Sequence, residues 1–367
     1  MQDILICKPS MESDGAADVL VVGAGLTGLC VARALSASGA RVRVLDKGRG
    51  VGGRCATRRF DGAVFDHGLQ ALDLADEPVR STLDALLPRG LLGQADLRST
   101  PEGLIGVNGI TAIAKVLASG LDVALTTQVE AVAATSSGWH VRGEGVLQAA
   151  PVVVITAPVP QALALVEAGG LTLDPGLRVA LAAIRYSRSA VAMATLDPTV
   201  MSDHPGDHPG DHVGDHVAGH LTDQLTDQLA DRVTDQPMDR IGSAFCMVPN
   251  SAAVARIAFN HHKGISPVPA VTVHATPDWS DAHWDLPAEQ RAAELLAAAQ
   301  QWLPGTPRRI QGHGWRYARY ASGWAGEACV ALDAAGTLLL AGDALGGGDA
   351  AGAVQSAAAV VARLGVA

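Results

Sequence analysis

Hydrophobic and polar residues follow the periods of strands and helices over much of the chain. Residues 18–46 begin with an apolar run, continue as a helical stretch that ends at Gly39, and close with the alternating segment RVRVLD. This order predicts a β-α-β unit. A second apolar run, residues 151–157, predicts a buried strand that ends at Pro158 and Pro160, because proline has no N–H to donate within a sheet.

Other segments complete the predicted pattern. Residues 337–344 form a third apolar run, and an alanine-rich helix is expected over 350–364. The alternation along 123–149, interrupted by Ser-Ser-Gly, predicts antiparallel strands. Residues 287–303 are predicted to form a helix. A length of 367 residues is typical of a protein with about two domains.

A tetrapeptide repeat sets residues 203–240 apart from the rest. Aspartate recurs every fourth residue through most of it, and five histidines share this spacing. Prolines and glycines in the first half oppose a helix, so we predict a disordered, solvated loop. The later part, LTDQLTDQLADRVTDQ, is compatible with a short exposed helix. The alternative function of the repeat is weak metal capture by its histidines.

Composition and charge exclude several classes of protein. An apolar fraction of 48% and a mean hydropathy of +0.21 indicate a globular chain. The net charge is −10, of which the repeat carries −7, so we expect no surface for nucleic acid or an anionic membrane. No apolar run is long enough to span a bilayer, and the N-terminus lacks the order of a secretion signal. Five cysteines without a C-x-x-C pair favour reduced thiols and a cytoplasmic location.

A glycine motif gives the first indication of chemistry. Gly23, Gly25 and Gly28 form G-x-G-x-x-G between the first predicted strand and helix, where glycines let a pyrophosphate approach the helix N-terminus. Asp46 closes the second strand, at a position where a carboxylate can accept hydrogen bonds from ribose hydroxyls. A tight turn with a solvated Asp46 is the alternative. The motif therefore predicts a dinucleotide site.

The segment GLTGLCVARALSASGARVRVLDKGRGVGGRCATRR resembles the extended fingerprint of the FAD-containing amine oxidase superfamily. Gly52, Gly53 and Arg54 match the second glycine pair and arginine of that fingerprint. The stretch AVFDHGLQAL is similar to the superfamily's D-x-G segment beside the isoalloxazine ring. LLLAGDALGGGDAAGAVQSA is similar to its C-terminal Gly-Asp element, whose following helix points its N-terminus at the flavin.

This resemblance implies that FAD is the cofactor, bound noncovalently, although His67 and the cysteines leave covalent attachment open. No metal is expected. The residues that the resemblance assigns to the cofactor are Gly23, Gly25, Leu26, Thr27, Gly28, Asp46, Lys47, Gly53, Arg54, Asp66, Gly68, Gln70, Val129, Gly342, Asp343, Gly352 and Ala353.

The same resemblance implies an α/β fold with two domains. A Rossmann-like FAD-binding domain of the amine oxidase type is expected from three pieces of chain. The second domain is expected to be a mixed sheet over helices that binds the substrate. The FAD-binding domain is assigned residues 16–75, 105–160 and 325–367, and the substrate domain 76–104 and 161–324, with 203–240 as its insert.

Within the superfamily, residues 153–165, 273–285 and 313–323 resemble segments of renalase-type enzymes. This likeness implies oxidation of dihydronicotinamide substrates, isomers of NAD(P)H, or of a related reduced N-heterocycle. It implies hydride transfer to the flavin, with O2 as the acceptor and hydrogen peroxide as the product. The residues 347–351 depart from the resembled pattern, as does Ala357, where glycine is common. The expected substrate-positioning residues are His274, Trp315 and Tyr317, and further cavity candidates are Trp279, Tyr320 and Trp324.

Two other functions stay open at this point. The first is an amine oxidase or desaturase, which commonly presents a lysine near the flavin. Lys263 is the candidate, but its segment HHKG shows no buried-strand context and disfavours that function. The second is a non-catalytic flavoprotein or a metal-binding module in which the histidine repeat is the working part.

Overall fold

The computed structural model describes residues 17–197 and 245–365. The predictions for 203–240, a disordered loop or a metal-capturing repeat, lie outside the described residues. The described helices and strands, in chain order, are β1 Val19–Val22, α1 Leu26–Ala37, β2 Val42–Leu45, β3 Thr57–Phe60, β4 Ala63–Asp66, α2 Glu77–Ala85, β5 Leu97–Thr100, β6 Gly103–Gly106, α3 Thr111–Ala118, β7 Asp122–Ala124, β8 Ala131–Thr135, β9 Gly138–Gly143, β10 Val146–Ala150, β11 Val152–Ile155, α4 Val159–Ala168, α5 Pro175–Ala182, β12 Arg185–Leu196, β13 Cys246–Met247, β14 Val254–Phe259, β15 Ala270–Ala275, α6 Pro277–Ala282, α7 Ala288–Ala299, β16 Pro307–Ser322, β17 Cys329–Ala331, β18 Leu338–Ala341 and α8 Asp349–Arg363.

A six-stranded sheet brings the two ends of the described chain together. Its strand order is β17-β18-β11-β1-β2-β7, and its strands are parallel except for β17 at one edge. Strand β1 is buried along its whole length, as expected for a parallel strand covered on both faces. Helices α1, α3 and α8 cover one face, and α4 with the three-stranded sheet β8–β10 covers the other.

A five-stranded sheet, β13-β14-β15-β12-β16, forms the second layer system. Helix α7 covers one face of it with Leu295 and Leu296. On the opposite face, Phe65 of the hairpin β3–β4 packs against Met193 and Ala270. The hairpin thus joins the glycine-rich part of the chain to the face of the sheet that α7 leaves uncovered.

This second sheet is antiparallel throughout, where the sequence analysis expected a mixed sheet. Parallel neighbours need a crossover connection between adjacent positions. The crossover β15–α6–α7–β16 instead passes over β12, which lies between these two strands and runs opposite to both. The mixed sheet of this protein is the six-stranded one.

The predicted elements agree well with the structure. The β-α-β unit, the two later apolar strands, the helix after residue 287 and the C-terminal helix are confirmed. One part of the expected antiparallel stretch 123–149 differs. Strand β7 pairs in parallel with β2, and the antiparallel strands begin only at β8. None of the described helices combines the length and apolar content needed to cross a bilayer.

The Gly28 position offers a test of the first turn. A Cβ atom there would lie 2.0 Å from the Gly23 carbonyl oxygen, so Gly28→Ala should lower the free energy of unfolding by roughly 1–3 kcal/mol. Urea unfolding measures this change. Gly50→Ala is the matched control, since its Cβ would meet no heavy atom within 4 Å. Equal stability of the two variants would contradict the close helix-strand contact.

Candidate active site

The turn between β1 and α1 is braced by a carboxylate. Gly23 has a φ of +115°, a conformation that favours glycine. Asp46 Oδ2 accepts a hydrogen bond from the Ala24 N–H at 2.6 Å, and its Oδ1 accepts one from the Gly48 N–H at 2.6 Å. Asp46 therefore fixes the first glycine turn against the loop that follows β2.

The other residues expected near this turn lie in different environments. Leu26 and Thr27 are buried in the first turn of α1, so their backbone N–H groups, and not their side chains, can face a ligand. The side chain of Val129 lies in the hydrophobic core beneath the six-stranded sheet. Lys47 is exposed, and its Nζ lies 3.4 Å from Gln161 Oε1.

The second glycine pair is hydrogen-bonded to the first turn. The Gly52 N–H donates to the Ala24 carbonyl oxygen at 2.8 Å. A Cβ on Gly53 would lie 3.5 Å from the Gly25 Cα, so the two loops pass close to each other. Gly68 is similarly constrained, because a Cβ there would lie 2.0 Å from the carbonyl oxygen of Arg54.

Arg54 and Asp343, 289 residues apart in sequence, form a bidentate ion pair. Arg54 Nη1 lies 2.9 Å from Asp343 Oδ2, and Nη2 lies 2.6 Å from Oδ1. Arg54 Nη1 also donates to the Ala318 carbonyl oxygen at 3.1 Å. Parallel N–H···O bonds of this kind are strong and directional. The arginine of the N-terminal fingerprint and the aspartate of the C-terminal Gly-Asp element therefore contact each other directly.

The turn after β18 is packed against the start of α8. The Gly342 N–H donates to Ser356 Oγ at 2.8 Å. A Cβ on Gly352 would lie 2.7 Å from the Asp343 carbonyl oxygen, and one on Gly346 would lie 2.0 Å from the Gly352 carbonyl oxygen. Glycine is therefore required at these positions to bring the turn onto the helix.

The unusual segment 347–351 forms the N-terminus of α8. Asp349 has a φ of +54°, and its Oδ1 lies 3.5 Å from Arg319 Nε. Ala353 and Ala357 are buried further along the helix in the cluster shared with α1. The small side chain of Ala357 thus serves close packing of α8 in the core.

Asp66 is the centre of a buried network. Its Oδ1 accepts hydrogen bonds from Thr57 Oγ1 at 2.6 Å and from the Ile110 N–H at 2.8 Å. Its Oδ2 lies 2.5 Å from Lys263 Nζ, which also donates to the backbone oxygen of Gln70. Both side chains of the ion pair are fully buried. Asp66 therefore joins the hairpin β3–β4 and helix α3 to the five-stranded sheet.

The burial of Lys263 corrects the sequence analysis, which found no buried context for HHKG. Lys263 lies in the connection between β14 and β15, and it is 1% exposed. Its burial depends on Asp66, which lies 197 residues away in the chain. A local sequence pattern carries no sign of such a distant partner.

A straight row of side chains crosses the five-stranded sheet on the face away from α7. Arg256 on β14 lies opposite His274 on β15, and His274 lies opposite Val191 on β12. Val191 in turn lies opposite His313 on β16. Directly opposite residues on one face are about 5 Å apart. We refer to Arg256, His274, Val191 and His313 as the cross-strand row.

The segment after β4 lies over this row. Gln70 Nε2 lies 3.1 Å from His274 Nε2, and it also donates to a carbonyl oxygen of its own segment at 2.8 Å. The His67 ring stacks on Trp315 with centroids 5.4 Å apart and meets the edge of His313 at 4.7 Å. Trp315 Nε1 donates to the His67 carbonyl oxygen at 2.7 Å. The expected residues Gln70, His274 and Trp315 therefore belong to one site.

The three histidines of this site are neutral at physiological pH. Burial lowers the pKa of His67 and of His274 to about 3 and that of His313 to about 4. Positive charge adds to this effect of burial, from Arg256 at His274 and from Arg58 at the other two. The site thus combines uncharged imidazoles with a positive surrounding potential.

Three buried polar atoms in the site have no hydrogen-bond partner within the described residues. They are Gln70 Oε1, His67 Nδ1 and His313 Nε2. An unpaired buried polar atom in a native protein is uncommon, and it calls for an explanation such as a bound ligand. Because the Gln70 amide nitrogen already faces two carbonyl oxygens, its oxygen is left to accept a hydrogen bond.

Tyr317 lies near the Arg54–Asp343 pair. Its ring meets the edge of Tyr186 with centroids 5.4 Å apart. Burial raises the pKa of Tyr186 to about 12, and the Val159 N–H donates to its hydroxyl oxygen at 3.2 Å. Tyr317 is thus placed at the glycine-rich side of the cleft and apart from the cross-strand row.

The remaining aromatic candidates lie outside the site. Trp279 stacks on His283 with centroids 3.9 Å apart and packs against the cluster under α7, on the opposite face of the sheet. The Tyr320 hydroxyl accepts a hydrogen bond from the Trp324 N–H at 3.0 Å, and both rings pack against the core. Trp279 thus lies on the far face of the sheet and does not line the expected cavity, whereas Tyr320 lies beside Gly348 at the start of α8.

Sequence reasoning missed several side chains of the site. His313 precedes Trp315 by two residues on one strand, and this period of two could have identified it. Arg58 and Arg256 gave no comparable signal, because their positions depend on pairing between distant strands. His67 was considered only as a point of flavin attachment, and the structure makes it a stacking partner of Trp315.

The buried ion pair should be sensitive to loss of one charge. Lys263→Met leaves Asp66 buried without a counter-ion, so the free energy of unfolding should fall by about 3–5 kcal/mol. Lys115→Met, on an exposed position of α3, should stay within about 0.5 kcal/mol. Urea unfolding compares them. Adding Asp66→Asn to Lys263→Met should recover part of the loss, and equal stability of the two single variants would contradict the pair.

The histidines predict a specific acid sensitivity. In the unfolded chain these histidines bind protons below about pH 6.5, but in the folded protein they do so only below about pH 3–4. The free energy of unfolding should therefore fall as pH falls through this window. His313→Gln should reduce the loss of thermal stability between pH 7 and pH 5. His140→Gln, at an exposed position of β9, is the control. An unchanged loss in His313→Gln would show that this histidine titrates normally.

Comparisons with known proteins agree with this arrangement. Residues 21–86 match the NAD(P)-binding Rossmann-like domain, and residues 82–365 match the flavin containing amine oxidoreductase family. Three solved structures have similar folds, and each covers 95% of this chain. Putrescine oxidase bound to putrescine has a TM-score of 0.61 and 16% identity, with 97% of its own chain covered. Cyclohexylamine oxidase from Brevibacterium oxydans IH-35A has a TM-score of 0.63, 13% identity and 99% of its chain covered, and a putative protoporphyrinogen oxidase from Exiguobacterium sp. 255-15 has a TM-score of 0.60, 14% identity and 97% of its chain covered.

At these identities the solved structures establish the fold alone, and they confirm the predicted fold class. The family match establishes more than the fold, because it extends over most of the chain and includes the five-stranded sheet and α8. The protein therefore belongs to the flavin-containing amine oxidoreductase family and is an FAD-dependent oxidoreductase.

Proposed function

We propose that this enzyme oxidises a reduced N-heterocycle of the dihydronicotinamide type, as the renalase-like segments of its sequence imply. The observation that carries the proposal is the set of unpaired buried atoms, Gln70 Oε1, His67 Nδ1 and His313 Nε2, beside the flat face of Trp315. A planar neutral ring with a carboxamide matches these groups, since it offers both a hydrogen-bond donor and an acceptor.

The glycine-rich cleft fits FAD. A Cβ on Gly25 or Gly342 would meet no heavy atom within 4 Å, so open space lies beside both the N-terminal and the C-terminal turn. Helix α1 begins at Gly25 without a side-chain cap, which leaves its first N–H groups available to a pyrophosphate. An extended dinucleotide along this cleft is supported by these two features together.

Within this cleft we assign roles to the chain's own residues. The N-terminus of α1 would hold the pyrophosphate, and Asp46 would accept hydrogen bonds from ribose hydroxyls. Arg54 and Asp343 would hold the phosphates and the ribityl chain, and α8 would direct its N-terminal dipole toward the flavin. FAD bound noncovalently in this way supplies two-electron redox chemistry. These residues lie in two of the three pieces assigned to the FAD-binding domain from the sequence, residues 16–75 and 325–367, and the third piece, 105–160, supplies β7 and β11 of the same sheet.

The cross-strand row and the segment over it would position the substrate. Trp315 stacks one face on His67 and is only half-buried, and we place the heterocycle against its other face. Gln70 Oε1 would accept a hydrogen bond from the carboxamide nitrogen, and one of the two unpaired imidazoles would donate to its oxygen. Holding the ring in one orientation is the main contribution that such residues make to the rate.

His274 has a different role from the one expected. His274 was expected to contact and position the substrate itself, but its Nε2 already faces the Gln70 amide nitrogen at 3.1 Å. Since that nitrogen donates, His274 Nε2 accepts and carries no proton. We propose that His274 orients Gln70, whose oxygen then contacts the substrate.

The charges of the site disfavour the amine oxidase alternative. Two buried carboxylates in this region are held by cations, Asp66 by Lys263 and Asp343 by Arg54, so neither is free to hold a protonated amine. Lys263 in turn donates to Asp66 and to the Gln70 backbone, so its ammonium group already has partners within the protein. A neutral substrate agrees better with these pairings.

The reaction needs no acid or base from the protein. In the overall reaction the dihydro ring, O2 and one proton from solvent would give the aromatic cation and hydrogen peroxide, and bound FAD would supply the two-electron redox chemistry. The neutral imidazoles of His67 and His313 have no proton to move in this scheme. The rings of His67, His313 and Trp315 pack against one another, so they would exclude water from a substrate ring placed beside them.

Anaerobic mixing tests the proposed function. Dihydronicotinamide isomers should bleach the bound flavin rapidly in stopped-flow spectra, while putrescine and cyclohexylamine should not. The reason is that the site offers unpaired amide-binding groups, while the carboxylates of Asp66 and Asp343 are both held by cations. Heat-denatured enzyme is the control for chemical reduction. Bleaching by the amines alone would favour the amine oxidase function instead.

A further inference from the structure

The hydroxyl group of Tyr186 lies at the carboxyl edge of the six-stranded sheet, although its residue belongs to the other sheet. Tyr186 is the second residue of β12, and its oxygen accepts a hydrogen bond from the Val159 N–H at 3.2 Å. Val159 is the first residue of α4, the helix that follows β11. The tyrosine side chain therefore reaches from the five-stranded sheet to the end of a parallel strand of the six-stranded one.

The same edge carries the first glycine turn. Strands β1 and β11 are parallel neighbours, so their carboxyl ends lie side by side. Thr156, the residue after β11, shares its hydroxyl hydrogen bond between the carbonyl oxygens of Val22 and Gly23, each at 3.1 Å. In open parallel sheets, ligands bind beyond the carboxyl ends of the strands. The Tyr186 hydroxyl thus lies beside the cleft in which we place FAD.

The ion pair between Arg54 and Asp343 is also near this hydroxyl. Burial has the largest effect on the pKa of Tyr186 and raises it, and the Val159 hydrogen bond comes next and lowers it. The charge of Asp343 then raises this pKa and that of Arg54 lowers it, as expected of a phenol close to both members of the pair. Tyr186 is therefore close to residues of the N-terminal fingerprint and of the C-terminal Gly-Asp element.

The oxygen of the Tyr186 hydroxyl has a partner, but its O–H group does not. A tyrosine hydroxyl can accept hydrogen bonds and donate one. Pro158 at the N-cap of α4 offers no side-chain cap, so the Tyr186 oxygen serves the Val159 N–H instead. Among the residues that the structure describes, the Tyr186 O–H donates to no acceptor. Tyr320 differs, because its hydroxyl accepts from the Trp324 N–H and donates to the Trp324 carbonyl oxygen.

A protonated hydroxyl beside a dinucleotide cleft suits an oxygen acceptor. Burial raises the pKa of Tyr186 to about 12, so the group keeps its proton at physiological pH. We propose that Tyr186 is a cofactor-binding residue whose O–H donates to an oxygen of the pyrophosphate or of the ribityl chain of FAD. This inference rests on the proposed placement of FAD along the cleft, and it is independent of the substrate. Strand β12, assigned to the substrate domain, then contributes to the cofactor site.

Release of FAD from the holoenzyme tests the proposal. Tyr186→Phe keeps the ring and removes the donor, so the dissociation constant of FAD should rise about tenfold. Dilution of the holoenzyme, followed by the fluorescence of the released flavin, measures this constant. Tyr320→Phe is the matched control. It also loses a hydrogen-bonded hydroxyl, but one with both partners inside the protein, so its dissociation constant should stay close to that of the wild type.

A purely structural role for Tyr186 predicts a different result. Tyr186→Phe also removes the acceptor of the Val159 N–H, so its thermal stability should fall in either case. Lowered thermal stability with an unchanged dissociation constant of FAD would overturn the proposal. Asp46→Ala separates this failure from failure of the cleft. If Asp46→Ala weakens FAD binding and Tyr186→Phe does not, the inference fails and the placement of FAD stands; if neither does, both fail.

Fragments of the cofactor locate the contact. ADP carries a pyrophosphate without the ribityl chain, and riboflavin carries the ribityl chain without a phosphate. In competition with FAD, Tyr186→Phe should weaken binding of ADP alone if the O–H contacts the pyrophosphate, and of riboflavin alone if it contacts the ribityl chain. Either result supports the proposal. Equal affinities of the wild type and Tyr186→Phe for both fragments would overturn it.

Discussion

The buried ion pair between Asp66 and Lys263 is the constraint on which the site depends. It joins a hairpin of the glycine-rich part of the chain to the connection between β14 and β15. Lys263 also holds the backbone oxygen of Gln70, so the same cation places the segment 66–70 over the five-stranded sheet. Burying two charges away from water costs free energy unless they are paired. This cost favours the one arrangement of the hairpin on the five-stranded sheet that brings Asp66 and Lys263 together.

A second ion pair closes the opposite side of the cleft. Arg54 and Asp343 come from the two ends of the described chain, and they meet only when α8 is packed on α1. With both carboxylates held by cations, three buried polar atoms next to the histidines are left without a partner among the described residues. They are two imidazole nitrogens, His67 Nδ1 and His313 Nε2, and the amide oxygen of Gln70. The pairing of some charges thus defines which groups remain for a ligand.

Much of the cofactor region could be predicted because its rules are local. Glycines before a helix and an acid at the end of a strand are read from spacing alone, and the structure places Gly28 and Asp46 in the expected turns. The substrate face could not be read in this way. Arg256 and His313 share a row only through the register of four strands, and the burial of Lys263 depends on a partner far away in sequence.

A crystal structure of the holoenzyme with nicotinamide mononucleotide tests the central claim most directly. The account predicts that the Asp66–Lys263 pair stays intact, that the ring lies against Trp315, and that Gln70 Oε1 lies within hydrogen-bond distance of the amide nitrogen. It would be contradicted if Asp66 turned away from Lys263 to contact the flavin, or if the ring bound elsewhere and left the Gln70 oxygen unpaired.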